Sequence, residues 1–178
     1  MRLFLVSIFT IINLGLFAQQ DFVFQYPRVE ITGVFNGELV KRETKQVRIG
    51  LSKETGEFLV IMNFDDFKLQ NKETGEIIDF PDESMKIHGD LDLKDMRENT
   101  NQFQTYKAEL TIDFPGTTIT SLFNVEIQYF KNQERGFSLV RMNTELDFED
   151  LRAGGIIGFE DTFYVTIIFQ IYQIQDYH

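Results

Sequence analysis

The stretch 105–114 reads TYKAELTIDF, with Tyr106, Ala108, Leu110, Ile112 and Phe114 alternating with Thr105, Lys107, Glu109, Thr111 and Asp113. Strict period two places the five apolar side chains on one side of an extended chain, whereas a helix would scatter them round its axis. The pattern recurs. In MKIHGDLDL (85–93), Met85, Ile87, Leu91 and Leu93 share one side, and Lys86, His88, Asp90 and Asp92 share the other. QVRIGL (46–51) sets Val47, Ile49 and Leu51 against Gln46 and Arg48. ITSLFNVEIQYF (119–130) aligns Ile119, Phe123, Val125, Ile127 and Tyr129, and TFYVTIIFQIYQI (162–174) aligns Phe163, Val165, Ile167, Phe169 and Ile171. Past the first eighteen residues no apolar stripe of helical period runs for ten residues. The alternation predicts a single all-β domain over residues 19–178, an antiparallel meander of eight to ten strands. The supply of 19 Phe and 6 Tyr agrees, because aromatic rings suit a pleated, half-buried surface.

Between the strands the pentapeptide KETGE occurs twice, at 53–57 and 72–76. Each copy stands beside strand-like runs, EFLVIMNF (57–64) and then FKL (67–69) and EIIDF (76–80), and each offers a glycine for the positive φ of a tight turn. The similarity does not continue at a fixed period, so the copies read as two turns of one meander and not as repeat units. Downstream the phase changes: Phe137 and Leu139 fall on one parity, and Met142, Leu146 and Phe148 on the other. A one-residue slip near Val140–Arg141 predicts a β-bulge there. DFEDLRAGG (147–155) predicts a short helical turn, and KDMRENTNQ (94–102) a polar loop.

Residues 1–18, MRLFLVSIFTIINLGLFA, carry Arg2, then an apolar stretch, then Ala18 before Gln19 and Gln20. That is the layout of a secretory signal peptide cut after Ala18, and it is short for a bilayer-spanning helix of about 20 residues. The expectation is a periplasmic or secreted protein with no stable membrane anchor once the leader is removed. No cysteine occurs, so neither disulfides nor a lipidated cysteine hold the exported domain. A net charge of −11 repels phosphate backbones, which argues against nucleic acid as a partner.

Catalytic chemistry is thinly supplied. There is no Cys, and the only histidines are His88 and His178, too few for a zinc site and far from a nucleophile–base set. The acidic groups Asp65–Asp66, Asp82–Glu83, Asp90 with Asp92, Asp147 with Glu149–Asp150, and Glu160–Asp161 lack calcium-loop spacing and read as solvated surface. The chain is expected to be no enzyme and to need no metal or cofactor. A hydrolase built on two converging carboxylates is the outside reading. The alternating Phe, Ile and Val leave two architectures open. Two packed sheets would consume them as core, whereas a closed barrel of eight or more strands can enclose an apolar ligand.

Three segments resemble the YceI-like family of exported bacterial proteins. DFPDESMKIHGDLDL (79–93) looks like the family strand that follows an aspartate–aromatic–proline approach. YKAELTIDFPGTTITSLFNVEI (106–127) is similar to its turn-and-strand signature, with Ala108 where the family carries glycine. TELDFEDLRAGGIIGFEDTFYVTIIFQI (144–171) resembles its closing segment. The resemblance implies a lipocalin-like barrel holding a long isoprenoid or fatty amphiphile, and it brings no catalytic residues with it. On that reading Ile119, Phe123, Val125, Phe163, Val165 and Phe169 are the candidate apolar lining, and a lipid-like or isoprenoid small molecule is the partner. The alternative is a structural or protein-interaction β-domain with a filled core. Nothing in the sequence decides between a monomer and a homodimer.

Overall fold

The computed structural model describes residues 22–35, 37–52, 54–68, 70, 74–77, 83–91, 103–114, 116–131, 136–147 and 160–173. The alternating segments are strands, as their period requires. In chain order they are β1 (Phe22–Phe35), β2 (Glu38–Thr44), β3 (Val47–Leu51), β4 (Glu57–Asn63), β5 (Ser84–Asp90), β6 (Phe103–Phe114), β7 (Thr117–Lys131), β8 (Gly136–Asp147) and β9 (Glu160–Gln173). Among the described residues there is no α-helix, only a 3-10 turn at Phe64–Phe67. The leader, the 94–102 loop and the 147–155 turn lie outside the described residues, apart from Asp147 at the end of β8.

One sheet holds all nine strands in the order β2-β1-β9-β8-β7-β6-β5-β4-β3, every pair antiparallel. Its two edge strands, β2 and β3, are successive in the chain and separated only by Lys45 and Gln46. An even number of antiparallel steps lies between them across the sheet, so both run in the same direction. Three residue steps from Thr44 to Val47 reach at most about 11 Å. The edges are therefore two halves of one bent strand, the first bonded to β1 and the second to β4. At the bend the Gln46 amide donates to Thr44 Oγ1 at 3.1 Å, a local side-chain turn that breaks the extended path. This connection curls the meander into the expected barrel.

Curling encloses the apolar face. Val29, Ile31, Val60, Met85, Ile87, Leu110, Ile112, Met142 and Ile167 join one buried cluster that draws on every strand but β2. Aromatic rings then meet across the interior. Phe58 on β4 stacks on Phe169 of β9 with centroids 6.0 Å apart, although these strands are not neighbours in the sheet. Phe24 meets the edge of Phe169 at 5.7 Å. Elsewhere in the cluster the 3-10 turn brings Phe64 against Phe67 and against Phe114 of β6.

Several sequence expectations need correction. β8 pairs without interruption on both sides, so no bulge occurs at Val140–Arg141. Phe137 and Leu139 simply face outward, where Phe137 stacks between Phe130 at 5.1 Å and Tyr172 at 5.5 Å. The register shifts lie in β1, between Gln25 and Arg28 and between Gly33 and Val34. At the first, Tyr26 has φ +51° beside Pro27, whose missing N–H costs the ladder nothing in a bulge. Within the predicted strand at 67–69, Phe67 instead ends the 3-10 turn and Lys68 caps it, left-handed at φ 50°, while Leu69 lies outside the described residues. In the first KETGE, residues 54–56 lie in the β3–β4 turn, as expected. The second lies between Gln70 and Ile77, which form an isolated bridge outside the nine strands.

Both copies nevertheless use the same local device, since the Glu57 and Glu76 amides donate to Thr55 and Thr74 Oγ1 at 3.2 and 3.3 Å. Their glycines differ in surroundings. Gly56 (φ +80°) is packed so that an added Cβ would lie 2.5 Å from the Leu91 carbonyl oxygen, whereas Gly75 (φ +70°) has open space. Gly75→Ala should cost only the left-handed penalty of about 1–2 kcal/mol. Gly56→Ala should cost roughly twice that or more, because backbone must shift. Paired thermal melts check the difference, and equal losses would contradict the packing described.

Candidate functional site

The barrel interior is the place where the sequence-predicted lining converges. Phe123, Val125, Phe163, Val165 and Phe169 all face inward and are each 0 % exposed, so no solvent-sized gap adjoins them. Ile119, opposite Ile112, is half-buried and packs against the same cluster. The six belong to β7 and β9, which are separated by β8. The structure thus brings them onto one continuous wall, and in this state their neighbours fill the space before them.

The inner face is not wholly apolar. Thr144 on β8 donates to the Leu122 carbonyl at 3.1 Å and receives Ser121 Oγ at 2.7 Å, so both hydroxyls are satisfied inside the wall. On β2 the alternation puts Val40, Arg42 and Thr44 inward, with Arg42 opposite the fully buried Ile31. The segment following β4 crosses this face of β2. Thr44 Oγ1 donates to Asp66 Oδ2 at 3.1 Å, and Arg42 Nη2 donates to Gln70 Oε1 at 3.2 Å. Beside the β2–β3 bend lies an open depression of about 520 Å³, bordered by Lys45, Arg48, Met62, Asn63, Asp66 and Ser84 among others. Arg42 and Thr44 escaped the sequence reading because a charged residue in an alternating stretch is normally assigned to the wet side. Phe24 and Phe58 escaped it because β1 was not recognised and because EFLVIMNF is apolar on both parities.

The outer face carries the ionic groups. Glu30 is buried between Arg28 and Lys41, at 3.1 and 2.8 Å, so a carboxylate on the flank of β1 is offset by two cations. His88 Nε2 lies 3.2 Å from Asp113 Oδ2 on the solvent side of β5 and β6, both groups well exposed. Tyr164, opposite Glu145, has its phenol pushed above 10.0, first by the hydrogen bond to Glu145, then by that carboxylate's charge and by desolvation. Among the described residues no cluster of three His, Cys, Asp or Glu could hold a metal ion.

No protein-family model matches the chain, and no curated protein matches it in sequence. Among solved structures, it is similar to a polyisoprenoid binding domain from Saccharophagus degradans implicated in plant cell wall breakdown. The match has a TM-score of 0.65 at 8% identity and covers 88% of this chain and 100% of that one. This chain has the fold of that domain. At such identity the likeness is one of architecture.

Two outcomes follow from the packing and the charges. Phe169→Ala, which removes the ring bridging Phe24 and Phe58, should cost about 3–5 kcal/mol in chemical denaturation. Replacing the exposed Leu39 by Ala should change little. A spectrophotometric titration should find one tyrosine ionising above the usual range, and Glu145→Gln should bring it down. The hydrogen bond's small contribution is present at neutral pH and is lost as pH rises through that raised pKa.

Proposed function

We propose that this chain is an exported, non-enzymatic carrier of an apolar or isoprenoid-like amphiphile, a divergent relative of the YceI-like family. The observation that carries the reading is a barrel with an apolar inner face that shares the fold of a polyisoprenoid binding domain, matched over that domain's entire chain. Apolar pockets of this kind supply affinity through burial and specificity through a few polar groups. Because five of the six lining side chains have no exposed surface, a ligand has to part packed side chains, the Phe58–Phe169 stack among them.

That same contact favours a second reading, a structural or interaction module whose core is simply full. The two readings differ in a measurable way. The chain has no Trp, so Phe169→Trp introduces a single reporter inside the barrel. On the carrier reading, a long-chain polyprenol or fatty alcohol shifts its emission saturably at one ligand per chain, and native mass spectrometry of freshly purified protein shows a bound lipid. Absence of both signals in folded protein would leave the filled-core reading. For export, the mass of the protein recovered from the periplasm or medium should lack residues 1–18; an intact amino terminus there would overturn cleavage after Ala18.

A further inference from the structure

We infer that Arg42 is the receiver for an anionic headgroup, so that the amphiphile held by the barrel is an acid, a carboxylate or a phosphate, and not a neutral chain. The inference rests on the carrier reading and narrows it to a ligand class. Its first support is placement. Antiparallel partners share a face, and Arg42 is opposite Ile31, which is opposite Val165, which is opposite Thr144. Ile31 and Val165 are fully buried in the barrel interior, so Arg42 sits at the end of an inward row that includes one of the predicted lining residues. Adjacent strands are about 4.8 Å apart, and three steps along this curved row cover about 14 Å, a length suited to an extended acyl or prenyl segment.

The second support is charge. The chain carries 28 acidic side chains against 17 basic ones, so a guanidinium partly withdrawn from solvent has carboxylates in the same molecule to pair with. Of the two half-buried arginines among the described residues, Arg28 is paired in this way with Glu30, which Lys41 also reaches. Among the described residues Arg42 has no such partner, and its hydrogen bond goes to the neutral amide oxygen of Gln70 at 3.2 Å. A partly desolvated cation satisfied by one neutral acceptor retains four further N–H donors in a planar fork, the geometry that takes a carboxylate or phosphate bidentately. Arg42 and Gln70 are both half-buried, so the group is reachable from solvent while its row leads inward. Other inner-face hydroxyls are already engaged, Thr44 with Asp66 and the Gln46 amide, Ser121 and Thr144 with each other and the backbone. They offer no comparable acceptor for charge.

The test compares hexadecanoate with hexadecan-1-ol by equilibrium dialysis on the full mature chain, with acetate and inorganic phosphate as headgroups lacking a tail. Wild type should favour the acid by about tenfold or more at neutral pH, the scale of a charge-assisted hydrogen-bonded pair. Arg42→Gln, which keeps a hydrogen bond to Gln70 Oε1 possible, should bring the acid-to-alcohol ratio near one while leaving the alcohol's affinity within about twofold. Arg42→Lys should keep part of the preference, since it retains charge without the fork. An acid-to-alcohol ratio near one in wild type would overturn the inference even if Arg42→Gln failed to fold. So would an Arg42→Gln protein that loses both ligands equally, because Arg42 would then only support the wall. If acetate or phosphate binds as tightly as hexadecanoate in an Arg42-dependent way, the site serves a small anion and the amphiphile assignment falls. Alcohol binding without acid preference sinks this inference alone, whereas no binding of either chain sinks the carrier reading and this inference with it.

Discussion

Everything in this architecture depends on the bend at Lys45–Gln46. A meander of strands has two edges, each with a row of unpaired backbone groups, and an exposed edge is a template for aggregation. Here the edges β2 and β3 are consecutive and only three residue steps apart, so the sheet cannot lie open. Thr44 holds the bend twice, accepting from the Gln46 amide and donating to Asp66 on the 3-10 turn. Once the sheet is curled, the apolar faces of distant strands confront one another. The Phe58–Phe169 stack is then a consequence of closure, and it also ties the two walls together.

The filled interior and the carrier reading are compatible in magnitude. An aromatic pair contributes about 0.5–1.5 kcal/mol beyond its area burial. Burying a dozen methylenes of a ligand tail gains roughly 10 kcal/mol before the cost of association. Parting one or two ring contacts is small beside that gain. A barrel of this size has an interior just wide enough either for side chains or for one slender ligand. Which of these occupies it is decided by whether the rings can move aside, and the wall's few polar groups decide what such a ligand carries at its end.

The legible part of the fold was the part with an unbroken period. β5, β6, β7 and β9 each keep one apolar parity along their length, even where Leu122, Phe130 and Ile168 add apolar residues outside, and their buried inward residues are those the pattern selects. β1 was invisible for a specific reason. The Tyr26–Pro27 bulge shifts its register, so that Phe22 and Phe24 precede it on even positions while Val29 and Ile31 follow on odd ones, all of them packed on or within the same core. A two-residue period cannot register a strand that changes parity inside itself. In β8 the opposite error arose. An outer aromatic ladder of Phe130, Phe137 and Tyr172 put apolar residues on the wet face, and the pattern then mimicked a slip that the continuous pairing excludes. For the candidate site, the six lining residues follow from parity alone, but Arg42 does not, because its face is set by its pairing with β1 and not by its own chemistry.

By itself the order of residues determined that the described part of this chain is mainly β, where several turns fall, and which side of each regular strand is greasy, since those are local properties of period and of turn residues. Only the tertiary structure decided that the first strand closes on the last, that β2 and β3 are one bent strand, and that an arginine stands on the inner wall. These facts rest on hydrogen bonds between residues far apart in sequence, and no local pattern records which distant strand a free edge will meet.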